Sequence, residues 1–305
     1  MKISDPKTPP VLFIIFNRPD SAARVFEAIR QANPQRLYVA ADGPRDDRPW
    51  EKELCERTRS IIKKADWDCR VLTLFRDLNL GCGKAVSEAV SWFFGQEKEG
   101  IILEDDCLPH PSFFKFCSEL LSYYRDNKRV MHISGDQYIK GYGSGASYYF
   151  TKIQHCWGWA SWADRWANYD FSLRDYDEKN IEKFSERGIV RRYWKRILKR
   201  MRKNEIDTWD HQWTFKIVEL DGLCINPTKN LVSNIGFGED CTHTSYKESP
   251  FSNMPVYDIG EIVHPSKIEA DTDADEYIYR HHYYINNLAV RIIKKLLKEW
   301  RKLFG

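Results

Sequence analysis

Gly100-Ile101-Ile102-Leu103-Glu104-Asp105-Asp106-Cys107 sets residues of buried-strand character directly against three consecutive acids. A strand cannot bury three carboxylates without partners. At the carboxyl end of such a strand the acids lie where open α/β sheets bind ligands. Hard oxygen donors in that place suit Mg²⁺ or Mn²⁺ carrying a phosphate, so a metal-bound diphosphate is the first reading. The competing reading is a solvated acidic turn leading into Pro109 and Pro111. The motif alone does not choose between them, and the surrounding pattern has to.

Upstream, residues 11–16 (Val-Leu-Phe-Ile-Ile-Phe) read as a buried first strand and 21–32 as the helix after it. Residues 37–41 form a second apolar run ending in the turn signal Asp42-Gly43-Pro44. The pattern then predicts a helix over 45–64, an extended segment over 70–75 and a helix over 83–96 before the strand at Ile101. Strands alternating with helices imply βαβ units and a largely parallel sheet, hence an α/β fold with a Rossmann-like nucleotide-binding half. Asn17, Arg18, Asp42, the 76–81 stretch and Glu104 to Asp106 then share one edge of one sheet. Arg76 and Lys84 lie on that edge too, and Lys84 opens a helix whose unpaired amides favour anions.

Beyond Gly135 the texture changes. Gly141, Gly143 and Gly145 interrupt aromatics, and Trp157, Trp159, Trp162 and Trp166 crowd one stretch. Such tryptophans either fill a core or, beside the small Gly158, Ala160 and Ser161, form a sugar-binding wall. The division expected is 9–135 for nucleotide-sugar binding, 136–265 for the acceptor side, and 266–305 for a tail ending in a basic amphipathic helix.

A chain of 305 residues with 42% hydrophobic content can bury a sizeable core. No apolar run approaches the roughly 20 residues that span a bilayer. Cysteines 55, 69, 82, 107, 117, 156, 224 and 241 form no CxxC pair, which indicates neither a zinc site nor a disulfide framework and fits a reducing cytoplasm. The net charge of +3 conceals an asymmetry: 187–204 hold nine basic residues and no acid, and 286–305 hold six basic residues against Glu299. Two cationic segments on an acidic body suggest an anionic partner met locally rather than nucleic acid wrapped by a basic domain.

The order FNRPDSAARVFEAI, DGPR, NLGCGKAVSEAV, IILEDDCLPHPSFFKF, TWDHQWTF, SNIGFGEDCTHT, from about Pro10 to Thr244, resembles the GT-A nucleotide-sugar glycosyltransferases, most closely the N-acetylglucosaminyltransferase I group and its bacterial relatives. The resemblance implies that Arg18 contacts the nucleotide and that Asp42 reads the uracil imide. It further implies that Glu104 faces the donor sugar, Asp105 the ribose hydroxyls, and Asp106 ligates Mn²⁺ or Mg²⁺. Diphosphate beside three acids would be repelled without that cation. Asp210 matches the catalytic base of an inverting transfer, with Trp209 and Trp213 excluding water and raising its pKa. An N-cap role for Asp210, opening a helix to Leu220, reads equally well locally. His211 stands where the closest relatives carry a second acid, which makes it the alternative base. The loop 234–245 resembles one that closes over bound donor, with His243 completing the metal or diphosphate site and Gly236 and Gly238 supplying hinge freedom.

The function expected is therefore metal-dependent, inverting transfer of a sugar from a UDP-sugar to a growing glycan. The nearest rival is a sugar nucleotidyltransferase, which would want a glycine-rich loop after the first strand, where Phe16-Asn17-Arg18-Pro19-Asp20 has no glycine. A hydrolase using Asp106 and Asp210 leaves Arg18 and Asp42 unexplained, and a non-catalytic sugar-nucleotide-binding scaffold does not need both acid groups. In the tail, Leu288, Ile292, Leu296, Trp300 and Leu303 share a helical face among basic residues, which predicts peripheral binding to the inner face of the cell membrane and a lipid-linked acceptor. A packing or homodimer helix is the alternative. Ile189, Tyr193, Ile197 and Met201 repeat the scheme in a segment expected to pack on the body.

Overall fold

Alternate residues of the first strand divide between two hydrophobic layers: Val11, Phe13 and Ile15 enter one buried cluster, Leu12 and Ile14 join another. Burial on both faces is why β1 (Val11–Ile15) reads as an unbroken apolar run. The computed structural model describes residues 8–143, 145–236 and 251–283. After β1 come α1 (Pro19–Ala32), β2 (Arg36–Ala41), α2 (Glu51–Ser60) with a 3₁₀ turn (Ile61–Lys64), β3 (Arg70–Phe75), α3 (Cys82–Phe94) and β4 (Glu99–Glu104). Then follow β5 (Cys107–Pro109), α4 (Pro111–Tyr123), β6 (Val130–Ser134), β7 (Tyr148–Thr151), β8 (Trp159–Trp162) and the single turn α5 (Ala163–Trp166). A 3₁₀ segment (Glu178–Phe184), α6 (Gly188–Arg202), α7 (Asp210–Glu219), β9 (Leu223–Pro227), β10 (Val232–Asn234) and α8 (Thr272–His281) complete the described elements.

The alternation of strand and helix predicted for the first hundred residues is present, with shifted helix starts. Pro19 opens α1 two residues earlier than expected, because proline's fixed φ and missing N–H suit a first helical turn. The helix expected over 45–64 is shorter: it begins at Glu51, after Pro44 and Pro49, and tightens to 3₁₀ at Ile61. Asp210 is the first residue of α7, and Trp209 is its N-cap.

One sheet holds eight strands in the order β3-β2-β1-β4-β8-β6-β9-β7. The first four are mutually parallel, giving an α/β fold with a Rossmann-like half. β8 is antiparallel to both β4 and β6, so β6 and its parallel neighbour β9 point the same way as β4. The carboxyl ends of β3, β2, β1, β4, β6 and β9 therefore share one edge. β5 and β10 pair antiparallel beside it, with Asn234 opposite Cys107.

Trp159, Trp162 and Trp166 are buried, so in these three the expectation of a sugar-binding wall gives way to core packing. α6 lays Val190, Trp194, Ile197, Leu198 and Met201 into a third cluster with the 3₁₀ segment, α7 and α8, as expected for a segment packed on the body. The tail helix with Trp300 falls outside the described residues. Among those described, no helix is long and apolar enough to cross a membrane.

β4 tolerates no side chain at Gly100. A Cβ there would lie 2.3 Å from Phe93 Cζ and 2.7 Å from the Pro10 carbonyl oxygen, one a packed ring and the other backbone. Gly100→Ala should cost about 1–3 kcal/mol by overpacking, read as a lower urea midpoint at unchanged m-value.

Candidate functional site

The acids at the end of β4 are not a solvated turn. Asp105 is 6% exposed and accepts the Phe16 amide at 2.9 Å, so β1's exit is bonded to β4's exit. Arg18 lies across the next turn, 3.5 Å from Asp105 Oδ1 and 2.7 Å from Asp106 Oδ2. Burial, then the charges of Asp106 and Asp105, push the Glu104 carboxyl well above the usual range. Burial raises Asp105 as well, against the pull of Arg18. Three acids with one guanidinium leave this edge short of positive charge.

The second half supplies the facing groups. Trp209 stacks on Trp159 with ring centroids 5.2 Å apart and an interplanar angle of 21°, and Trp159 sits opposite Ile102 in the sheet, two residues before Glu104. Asp210, next in the chain, is carried to the acidic edge, close enough that its charge adds to the upward shift of Glu104. The rise expected for Asp210 between the tryptophans is reversed: burial opposes its ionisation, but the neighbouring His211, 3.5 Å from Oδ2, and the Thr208 hydroxyl donating to Oδ1 outweigh that and hold the carboxyl well below the usual range. Burial pulls His211 down, but Asp210 outweighs it and raises the imidazole above its ordinary value. Asp210 and His211 thus lie 3.5 Å apart, each favouring the charged form of the other, near enough to Glu104 for the charge of Asp210 to act on it.

The other expected residues are distributed along the edge. Asp42 is 9% exposed and accepts the amides of Leu80 and Gly43 at 3.0 Å, with burial raising its carboxyl. Its oxygens tie the turn after β2 to the loop after β3. Arg76 follows β3 and donates to Glu88 at 3.2 Å. Lys84 is exposed and stands 3.8 Å from Glu88, while the α3 amides of Cys82 and Gly83 are taken by Asp207 at 2.9 and 2.8 Å. The structure therefore gathers Arg18, Glu104, Asp105, Asp106, Asp210 and His211, sets Asp42 and Arg76 on neighbouring strand ends, and turns Lys84 outward. His243 and Gly238 fall outside the described residues.

A divalent cation at Asp106 is compatible with the donor set. One oxygen is held by Arg18, the other meets, among the described residues, the weakly donating Cys107 thiol at 3.5 Å, and carboxylate oxygen is the ligand that Mg²⁺ and Mn²⁺ prefer. The chain at Gly236 passes so close that a Cβ would lie 2.3 Å from Asp106 Oδ2. Among the described residues no group of three or more His, Cys, Asp or Glu side chains could hold a metal without help from a ligand.

Sequence reasoning missed two groups. Glu51, 1% exposed, accepts from Asn17 at 3.1 Å and from Arg45 at 2.9 Å, and so binds the loops after β1 and β2 together. Asp136 lies just past β6 on the same edge, fully buried, with its Oδ2 3.5 Å from Nδ1 of the buried His155. Burial raises Asp136 to about 8 and lowers His155 to about 3, so the pair is neutral at pH 7. The signal was a polar Ser-Gly-Asp at a strand exit, the same kind of position as Glu104.

Two outcomes follow from the electrostatics. Glu104's folded pKa is raised, so stability is lost as pH rises from the usual carboxylate range through the folded value. Glu104→Gln should therefore stabilise the chain by about 1–3 kcal/mol near pH 8 and by almost nothing near pH 4, measured by urea unfolding at both. The His211 imidazole should titrate above the ordinary histidine value by proton NMR, and in Asp210→Asn it should fall below it, because burial and the charge of Arg200 then act unopposed.

No family model and no curated protein matches the chain. Similar solved structures include HddC from Yersinia pseudotuberculosis, 11% identical over 51% of this chain and 77% of that one, with a TM-score of 0.34. UDP-glucose pyrophosphorylase complexed with UDP-glucose is 9% identical over 74% of this chain and 93% of that one, TM-score 0.36. The apo form of a UDP-glucose pyrophosphorylase is 10% identical over 69% and 97%, TM-score 0.28. At this level the likeness carries no statement about activity, and the fold is read from the chain's own sheet.

Proposed function

We propose that this chain is an enzyme acting on a nucleotide sugar, and that it transfers the sugar with inversion from a UDP-sugar to a hydroxyl of a glycan under construction. The observation that supports this reading is the meeting of Glu104 to Asp106, at the end of β4, with the ionised Asp210 from α7, close enough to act on Glu104. Arg18 and the end of β4 suit the donor diphosphate and sugar, and Asp42 suits the base, its remaining lone pairs being available to an imide N–H. Asp106 would hold the Mn²⁺ or Mg²⁺, which when bound neutralises the diphosphate as it departs. Asp210 takes the proton of the acceptor hydroxyl as that oxygen attacks the anomeric carbon, and His211 orients Asp210 and keeps it ionised until then. The buried indoles of Trp209 and Trp213 exclude water from one side.

Nucleotidyl transfer between a sugar phosphate and a nucleoside triphosphate is the second reading. It would use the same edge, and Arg18 beside Asp105 and Asp106 suits a phosphoryl group in transfer equally well.

A panel of nucleotide sugars incubated with Mn²⁺ separates the two. Slow release of free UDP to water supports glycosyl transfer, triphosphate formed on adding pyrophosphate supports nucleotidyl transfer, and neither product would falsify both. Asp210→Asn should slow sugar transfer by about 10²–10⁴ with donor binding nearly intact, and His211→Ala by less. Asp106→Ala should fold but lose metal-dependent donor binding by calorimetry, as should the unaltered chain in EDTA.

A further inference from the structure

Five cations of α6 fall on two borders of its buried stripe, and Arg192 and Lys199 stand on the exposed face opposite it. On one, Lys195 and Arg202 pair with Glu178 at 3.4 and 3.0 Å, and Arg191 donates to the Glu186 carbonyl at 3.1 Å. On the other stand Tyr193, Arg196 and Arg200, three and four residues apart and so in line along the helix. This second border is turned toward the Asp210 and His211 pair. Trp194, beside Tyr193, lies edge-on to the His211 ring at 5.8 Å, and Tyr283 packs on Tyr193 and Trp194 at 5.5 and 5.6 Å. The charge of Arg200 acts on His211, and the charges of Arg196, Asp210 and Arg200 all act on Tyr193.

Arg196 is exposed, with its guanidinium over the Tyr193 ring at 5.6 Å and no carboxylate partner among the described residues. Arg200 meets Glu205 at 3.4 Å, but both side chains are about half exposed, and such a pair is weak enough for a better anion to displace. Arg200 thus stands near enough to His211, and Arg196 and Arg200 near enough to Tyr193, for their charges to act, on a helix whose Trp194 meets the His211 ring. A guanidinium fork matches phosphate oxygens, and an anion brought near ionised Asp210 needs flanking cations to be held there.

We infer that the Tyr193, Arg196 and Arg200 border of α6 seats a phosphate group carried by the molecule that receives the transferred sugar. The inference rests on the glycosyl-transfer reading and adds the class of acceptor: a phosphorylated one, whether the phosphate is that of a lipid headgroup or of a soluble sugar phosphate. The phosphate docks on Arg196 and Arg200 while the hydroxyl to be glycosylated reaches Asp210.

The test titrates the full chain, saturated with UDP and Mn²⁺ so that the donor site is filled, with octyl phosphate, with glucose 1-phosphate, and with octyl glucoside as a neutral control. At least one phosphate probe should bind, octyl glucoside should not, and Arg196→Gln with Arg200→Gln should weaken the phosphate probe by about tenfold or more. Lys195→Gln, which removes one charge from the opposite border, should leave it unchanged. Preference for octyl phosphate assigns the group to a lipid headgroup, and preference for glucose 1-phosphate to a soluble acceptor. Absence of phosphate binding, binding equal in the double variant, or equal loss in Lys195→Gln overturns the inference. The unaltered chain's own titration with UDP and Mn²⁺, run first, reports separately on nucleotide-sugar handling: if UDP fails to bind, it is that reading which falls, and the phosphate titration then repeated without nucleotide still decides whether α6 holds the anion.

Discussion

The stack of Trp209 on Trp159 joins the two chemical halves of this molecule. Trp159 lies in β8 against β4, and Trp209 caps the helix that begins with Asp210. Because both indoles are buried, with Trp166 and Trp213 packed beside them, the separation between α7's first turn and the end of β4 is set by close-packed rings rather than by a loop. Side chains in such a core cannot shift independently. Asp210 owes its place beside Glu104 to that packing, and everything proposed about the chemistry depends on it.

The same edge carries an electrostatic imbalance. Glu104, Asp105 and Asp106 meet one guanidinium, and Asp210 arrives already paired with His211. Carboxyls pushed above their ordinary range by burial and by one another reflect a site arranged for something other than stability. The Asp136 carboxyl on the next strand exit is raised by burial in the same way, beside a His155 imidazole that burial lowers. Asp105 and Asp106 lie beside Arg18, where an incoming cation can compensate them.

α6 divides its labour by helical direction. Its apolar stripe closes the third hydrophobic cluster, one border satisfies acids of the 3₁₀ segment, and the other faces the candidate base. Nine bases without an acid between Arg187 and Asn204 suggested an anionic partner met locally; of these, Arg187, Lys195, Arg200 and Arg202 pair with acids of the chain itself. Arg196, over the Tyr193 ring, is one of the bases that no acid meets among the described residues, with Arg192, Lys199 and Lys203.

The parallel half was legible in the residues themselves, because strands buried on both faces must be continuously apolar and the helices between them must show a periodic stripe; residues 70–75 emerged as β3 with the expected limits. Glu104 to Asp106 were legible for the same reason, since three acids abutting a buried strand can only stand at its end. The helix limits near Pro44, Pro49 and Ile61 were not, because local hydrogen bonding decided them. Whether Asp210 merely capped a helix, or stood within reach of Glu104 more than a hundred residues earlier, could not be read locally at all. Pattern carries the direction in which a side chain must point relative to its own element, and it carries nothing about which distant element arrives opposite. The stacking of Trp159 on Trp209 and the antiparallel insertion of β8 between β4 and β6 settled that, because only the closing of the core sets distances between groups the chain keeps apart.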